Sequence, residues 1–207
     1  PGTPGLNLPA AMIQPQGARR GPAAGRAREA PRPGYVEGPD QEERATAAGS
    51  GAEVVRSVED QVVVLAGAST GIGRETALRF AQRGARVVLA ARNRQALDTL
   101  AAEVERLGGV PLVVPTDVSD ADQVADLAAR AVERFGRIDT WVNLAAVSTY
   151  ATVEQLDVAE IRRVIEVNLL GQIYGMKAAL PRMRHDGGVI INVSSVLGRR
   201  AVALQSA

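Results

Sequence analysis

Val62-Val63-Val64-Leu65-Ala66-Gly67-Ala68-Ser69-Thr70-Gly71-Ile72-Gly73-Arg74-Glu75-Thr76-Ala77-Leu78 is the stretch that decides the fold. A β-branched run ends in a glycine-rich turn, and an amphipathic helix begins with Ile72, Ala77, Leu78 and Phe80 on its expected apolar side. This is the strand–turn–helix pattern of a phosphate-binding βαβ unit. Gly67 lets the backbone turn sharply out of the strand, Gly71 lets it approach a pyrophosphate, and Gly73 lets the helix pack tightly on the strand. Ser69, Thr70 and Ile72 are candidate contacts to the same group, beside the free N–H groups and partial positive charge of the helix amino terminus. The spacing is Gly-x-x-x-Gly-x-Gly rather than the commoner Gly-x-Gly-x-x-Gly. Taken alone, the turn is also compatible with a βα connection that binds nothing.

The chain has 207 residues, enough for one sizeable core or for one domain with a tail. A net charge of +1 gives no electrostatic case for nucleic acid or an anionic membrane. Cysteine is absent, which excludes disulfides and thiolate metal sites and fits a reducing, cytoplasmic setting. No apolar run is long enough to span a bilayer, and no metal site is expected. Lys177 is the only lysine, so the basic residues are otherwise arginine. The first residue is Pro1, and the chain is expected to be a processed product or a fragment.

Residues 1–57 are rich in Pro, Gly, Ala and Arg and poor in large apolar side chains. They cannot bury enough surface to offset chain entropy and are expected to be a disordered tail. The arginine-rich, acid-poor part around Arg19, Arg20, Arg26, Arg28 and Arg32 also has the composition of a transit peptide. It lacks a periodic apolar face, which favours a solvated tail. From residue 58 to 207 strand and helix patterns alternate. Strands are expected over 61–66, 86–91, 110–115, within 138–146 and over 188–194, and helices over 71–83, 93–107, 121–135 and 158–183. Ser119 or Asp120 should cap the third helix, and Gly84, Gly108-Gly109 and Gly136 should close the first three. Unbroken apolar strands separated by helices predict a Rossmann-like, doubly wound parallel sheet in a three-layer αβα fold, incomplete at its C-terminal end.

Ligands of such a sheet bind at the carboxyl ends of the strands, so the residues just past each strand carry the information. After the second strand come Arg92, Asn93 and Arg94, with no acid for ribose hydroxyls. A guanidinium there suits a 2′-phosphate and points to NADP rather than NAD, although both arginines could simply be solvated. After the third strand, Asp117 could accept from an adenine amino group with Val118 against the ring, or could serve as a loop or capping carboxylate. The fourth ends in Asn143-Leu144-Ala145-Ala146, where the Asn143 amide can bridge backbone segments and the small Ala145 leaves room for a ribose. After the fifth come Asn192-Val193-Ser194-Ser195, where a hydroxyl can steady a developing alkoxide or fill a turn role.

Together these residues resemble the short-chain dehydrogenase/reductase family over residues 58–207. The signals are the Gly67/Gly71/Gly73 turn, Asp117, Asn143 with its alanines, Asn168 in Val167-Asn168-Leu169-Leu170-Gly171, and the Asn192-Val193-Ser194-Ser195 strand end. The resemblance implies an oxidoreductase that moves a hydride between a nicotinamide and a carbonyl or secondary alcohol carbon of a small molecule, in a homo-oligomer. It implies catalytic roles for Asn168, which holds a proton-relay water, and for Ser195, which orients the substrate carbonyl. A Tyr-x-x-x-Lys pair completes the family's set, with the lysine lowering the tyrosine pKa. The chain departs from the pattern at Ala66, where threonine is usual, at Leu144 and Ala146, and in ending at Ala207, just before that tyrosine is expected. Tyr35, Tyr150 and Tyr174 do not stand in its place, Lys177 lies on the long helix, and His185 sits in a turn. The chain as given is therefore expected to be an inactive fragment. Two other classes remain: a non-catalytic nucleotide-binding sensor or scaffold, and a methyltransferase, which would want an acid where Arg92 stands.

Overall fold

A computed structural model of the chain describes residues 56–183 and 187–195. The tail up to residue 55, His185 and the last twelve residues lie outside the described residues, as do the expectations attached to them. A short 3₁₀ turn, Val58–Asp60, leads into β1 (Val62–Ala66), α1 (Gly71–Ala81), β2 (Arg86–Ala91), α2 (Arg94–Arg106), β3 (Val110–Pro115), α3 (Ala121–Phe135) and β4 (Thr140–Asn143). Then follow α4 (Val158–Ile165), a π-turn (Glu166–Leu170), α5 (Gly171–Met183) and β5 (Val189–Asn192).

The five strands form one parallel sheet in the order β3-β2-β1-β4-β5. β1 is buried along its whole length because successive side chains feed opposite helical layers. Val62, Val64 and Ala66 pack with Leu127, Ala131 and Ala179 from α3 and α5 on one face. Val63 and Leu65 pack with Ala77, Ala81, Leu97, Leu100 and Val104 from α1 and α2 on the other. Two apolar cores on one sheet give the expected three layers.

Local chemistry sets the helix ends. Asn93 accepts from the Ala96 N–H, Asp120 from those of Asp122 and Gln123, and Asp157 forms a capping box with Glu160. Asp120 is thus the cap of α3, and Ser119 is committed elsewhere. Gly136, at φ +82°, closes α3 in the left-handed conformation. The expected long helix over 158–183 is interrupted by the π-turn that contains Asn168. The expected apolar side of α1 is corrected at one position: Ile72 is 70% exposed, because the buried side runs through Gly73, Ala77 and Ala81.

Among the described residues β5 pairs on one side, with β4, and Val189, Ile191 and Val193 are all more than a third exposed. A strand edge with exposed β-branched residues invites pairing with another chain. The chain is expected to elute from size exclusion ahead of a monomer, and a sharp monomer peak at high concentration would count against this.

Candidate active site

The sheet order reverses between β1 and β4, and a cleft of about 500 Å³ opens at the carboxyl ends of the strands there. Its wall is supplied by four strand ends: Gly67, Ser69 and Thr70 after β1, Arg92 and Asn93 after β2, Asp117 and Val118 after β3, and Ala145 to Val147 after β4. Arg163 of α4 and Val167 of the π-turn close one side.

The glycines of the turn serve three different needs. Gly67 has φ +109°, and a Cβ there would lie 2.5 Å from the Ala145 backbone nitrogen. It is required both for its left-handed backbone and for the approach of the β4 loop. A Cβ on Gly73 would collide with the carbonyl oxygen of Gly67, so Gly73 is what lets α1 begin against the turn. Gly71, at φ +53°, has nothing within 4 Å of its would-be Cβ. Its requirement in the chain itself is a backbone conformation.

α1 differs from α2, α3 and α4 in that no side chain caps its amino terminus. Its first-turn N–H groups remain available to an anion, beside Ser69 and Thr70 on the cleft wall. Arg92 is exposed on the same cleft and makes no ion pair or hydrogen bond among the described residues. Arg94, by contrast, pairs with Asp98 at 3.6 Å along α2. The expectation attached to Arg92 and Arg94 therefore divides, leaving Arg92 as the free cation.

Asp117 is held by a network. Its Oδ1 accepts from the Ser119 N–H at 3.0 Å, the Ser119 hydroxyl at 2.8 Å and Arg163 Nη2 at 3.2 Å. Its Oδ2 accepts from Arg163 Nη2 at 2.9 Å. Burial alone would push this carboxyl up, but the Ser119 and Arg163 hydrogen bonds and the Arg163 charge outweigh it, and the group lies below its ordinary 3.8. A carboxyl with a lowered folded-state pKa stabilises the fold above the unfolded value and loses that contribution as pH falls through the folded value. The thermal stability advantage of the wild type over Asp117→Asn should therefore be full at neutral pH and shrink below about 3.8. A difference independent of pH would contradict the network's charge.

The two asparagines act as ties. Asn143 is buried at the carboxyl end of β4. Its Oδ1 accepts from Trp141 Nε1 at 2.8 Å, and its Nδ2 donates to Asn192 Oδ1 at 2.7 Å and toward the Gln172 carbonyl. It joins β4, β5 and α5 as a bridge. Asn168 accepts from the Val147 N–H at 2.9 Å and donates to the Val147 carbonyl at 2.8 Å, fixing the β4 loop on the π-turn. Such turns, one residue wider than an α-helix, are frequent at functional sites. Ser195 is exposed in the coil past the carboxyl end of β5 and is not among the described residues lining the cleft. Tyr174 packs against the core, Tyr150 is exposed in the β4 loop, and Lys177 is exposed on α5.

The family model described as short chain dehydrogenase matches residues 61–207. The chain belongs to the short chain dehydrogenase family. Among curated relatives, the chain is 41% identical over 154 residues to the uncharacterized oxidoreductase YxnA of Bacillus subtilis, covering 73% of this chain and 43% of the relative. It is 41% identical over 147 residues to trans-4-hydroxycyclohexanecarboxylate dehydrogenase of Sinomonas cyclohexanicum, covering 68% and 57%. The chain thus spans about half the length of these relatives. A metagenomic short-chain oxidoreductase solved with NADP superposes with a TM-score of 0.69 at 35% identity, over 73% of this chain and 69% of that one. The alcohol dehydrogenase of Thermococcus sibiricus, solved with 5-hydroxy-NADP, gives 0.68 at 32%, over 70% and 62%.

Two residues of this candidate site have no sequence signal. Arg163 reaches Asp117 across 46 positions from another helix. Gly175 lies against the Asn143 bridge, where a Cβ would stand 2.7 Å from Trp141 Nε1.

Proposed function

We propose that this chain carries the dinucleotide-binding part of an NADP-dependent oxidoreductase acting on a small carbonyl or secondary alcohol compound. The observation that carries this reading is the unpartnered Arg92 guanidinium on the cleft that also receives the uncapped amino terminus of α1. Opposite ends of one elongated anion are served by these two features. The first-turn N–H groups of Gly71, Ile72 and Gly73 hold the diphosphate, with Ser69 and Thr70 beside them. Arg92 takes the 2′-phosphate bidentately, which no acid on that strand end opposes. Asp117 and Val118 receive the adenine, and Gly67 with Ala145 keeps the wall thin where a ribose lies.

The cofactor, when bound, would supply the redox chemistry, with NADPH giving a hydride from nicotinamide C4 to a carbonyl carbon or NADP accepting one from a secondary alcohol carbon. The chain's own residues orient the reactants. Asn168 holds the β4 loop and, as the resemblance implies, a water of the proton relay, while Ser195 orients the substrate oxygen through its hydroxyl. The names of the hydroxycyclohexanecarboxylate and alcohol dehydrogenases support an alcohol–carbonyl pair as the substrate class. A homo-oligomer in the cytoplasm belongs to the same proposal.

A fluorescence titration of the chain tests it. Binding of NADPH, tighter than that of NADH by about tenfold or more, is expected from one charged bidentate contact. A folded chain that ignores both dinucleotides overturns the proposal.

A further inference from the structure

The Asp117 carboxylate is saturated at one oxygen and open at the other. Among the described residues Oδ1 accepts three hydrogen bonds and Oδ2 accepts one, from Arg163 Nη2. An ionised carboxylate oxygen can accept about two, so Oδ2 keeps one acceptor direction. Asp117 lines the cleft with 29% of its side chain exposed, which gives that direction an outlet. Arg163 is engaged with the same network. Its Nη1 donates to the Ser119 hydroxyl, which in turn donates to Asp117 Oδ1, and its Nη2 is on the carboxylate. Of the two arginines that line the cleft among the described residues, Arg92 makes no ion pair or hydrogen bond there and Arg163 is engaged with Asp117 and Ser119.

The helix that carries Arg163 is itself fixed. Five residues on, Asn168 clamps Val147 with two hydrogen bonds, so α4 and the π-turn are tied to the β3 loop at one point and to the β4 loop at another. A side chain held from a fixed helix is placed more narrowly than one held only by its own loop.

We propose that Arg163 is a positioning residue that fixes the Asp117 carboxylate so that the cleft accepts a base with a 6-amino group and rejects one with a 6-oxo group. The inference rests on the cofactor reading above. A fixed, charged acceptor pairs with the exocyclic amine of adenine. It meets the carbonyl of hypoxanthine acceptor to acceptor, leaving both unpaired. Without Arg163 the carboxylate keeps its two Ser119 bonds at Oδ1, but Oδ2 loses the bond that fixes it and is resolvated, and the distinction fades.

The test is the ratio of dissociation constants for NADPH and its deamino analogue, reduced nicotinamide hypoxanthine dinucleotide phosphate, measured by fluorescence titration of the chain. The wild type should favour NADPH by about tenfold or more. Arg163→Met should weaken both dinucleotides, since a cation is lost from the cleft, and bring the ratio to about threefold or less. Arg163→Lys, which restores the charge and one donor, should recover part of it. The ratio is the readout because a purely structural or long-range electrostatic role would weaken both dinucleotides alike. If Arg163→Met does not fold, Ser119→Ala serves instead, removing one bond to Oδ1 and the acceptor of Arg163 Nη1, and should lower the ratio by a smaller factor. A ratio unchanged in the folded variants, or a wild type that binds both dinucleotides equally, overturns the inference and leaves the cofactor reading standing. A wild type that binds neither overturns both.

Discussion

Replacing Gly73 with alanine is expected to cost this chain at least about 3 kcal/mol of stability, the upper range for forcing atoms into a packed site. The single added carbon would enter the carbonyl oxygen of Gly67, with the Gly67 carbonyl carbon only 2.9 Å away and Ala68 Cα at 3.1 Å. Neither neighbour can yield. Gly67 is pinned by its own N–H to the Ala90 carbonyl at 2.8 Å, and Ala68 is fully buried and bonded to the same carbonyl. Relief would have to come from lifting α1 off the sheet, which uncovers Ala77 and Ala81. On the scale for domains of this size, the loss corresponds to roughly 10 °C in melting temperature. Gly71→Ala is the internal control. It adds a Cβ into open space at φ +53°, so only the left-handed backbone penalty of about 1 kcal/mol applies. Thermal melts of the two variants decide the matter, and equal losses would mean that the close approach of turn and helix is misplaced.

Arg92→Ala should lower the affinity for NADPH by about 10- to 100-fold and change that for NADH by less than about threefold, on the scale of one charge-assisted contact of roughly 1.5–3 kcal/mol. The asymmetry is the point of the measurement. Arg92 makes no ion pair or hydrogen bond among the described residues, so its removal disrupts no packing and should leave the melting temperature unchanged. Any general weakening through lost positive charge would be screened by salt, whereas a bidentate phosphate contact persists better at moderate ionic strength. A variant that binds both dinucleotides as the wild type does would move the phosphate contact elsewhere on the cleft.

How much of this was legible beforehand depends on the range of the interaction. The β1 run, the α3 cap at Asp120, the turn at Gly136 and the apolar stripe Leu97–Leu100–Val104 are stated by residues within a few positions of one another. Local backbone preference and side-chain period suffice there. The turn glycines were legible as a set, but their reasons were not, because what a Cβ would strike at Gly67 comes from Ala145. The sequence puts an amide at Asn143 that can bridge backbone segments, and the fold decides its partners, chiefly the side chains of Trp141 and Asn192. Period alone puts Ile72 on the apolar side of α1, and the sheet instead takes the side that runs through Gly73.

From sequence alone follow the order of strands and helices, the parallel sheet they must make, and the glycine turn between β1 and α1, because each is encoded in local composition and spacing. The tertiary structure alone decides which arginine is free and which is committed. Arg92, Arg94 and Arg163 are chemically identical, and their fates depend on which carboxylate the fold brings within reach: among the described residues none for Arg92, Asp98 one helical turn away for Arg94, and Asp117 from across the cleft for Arg163.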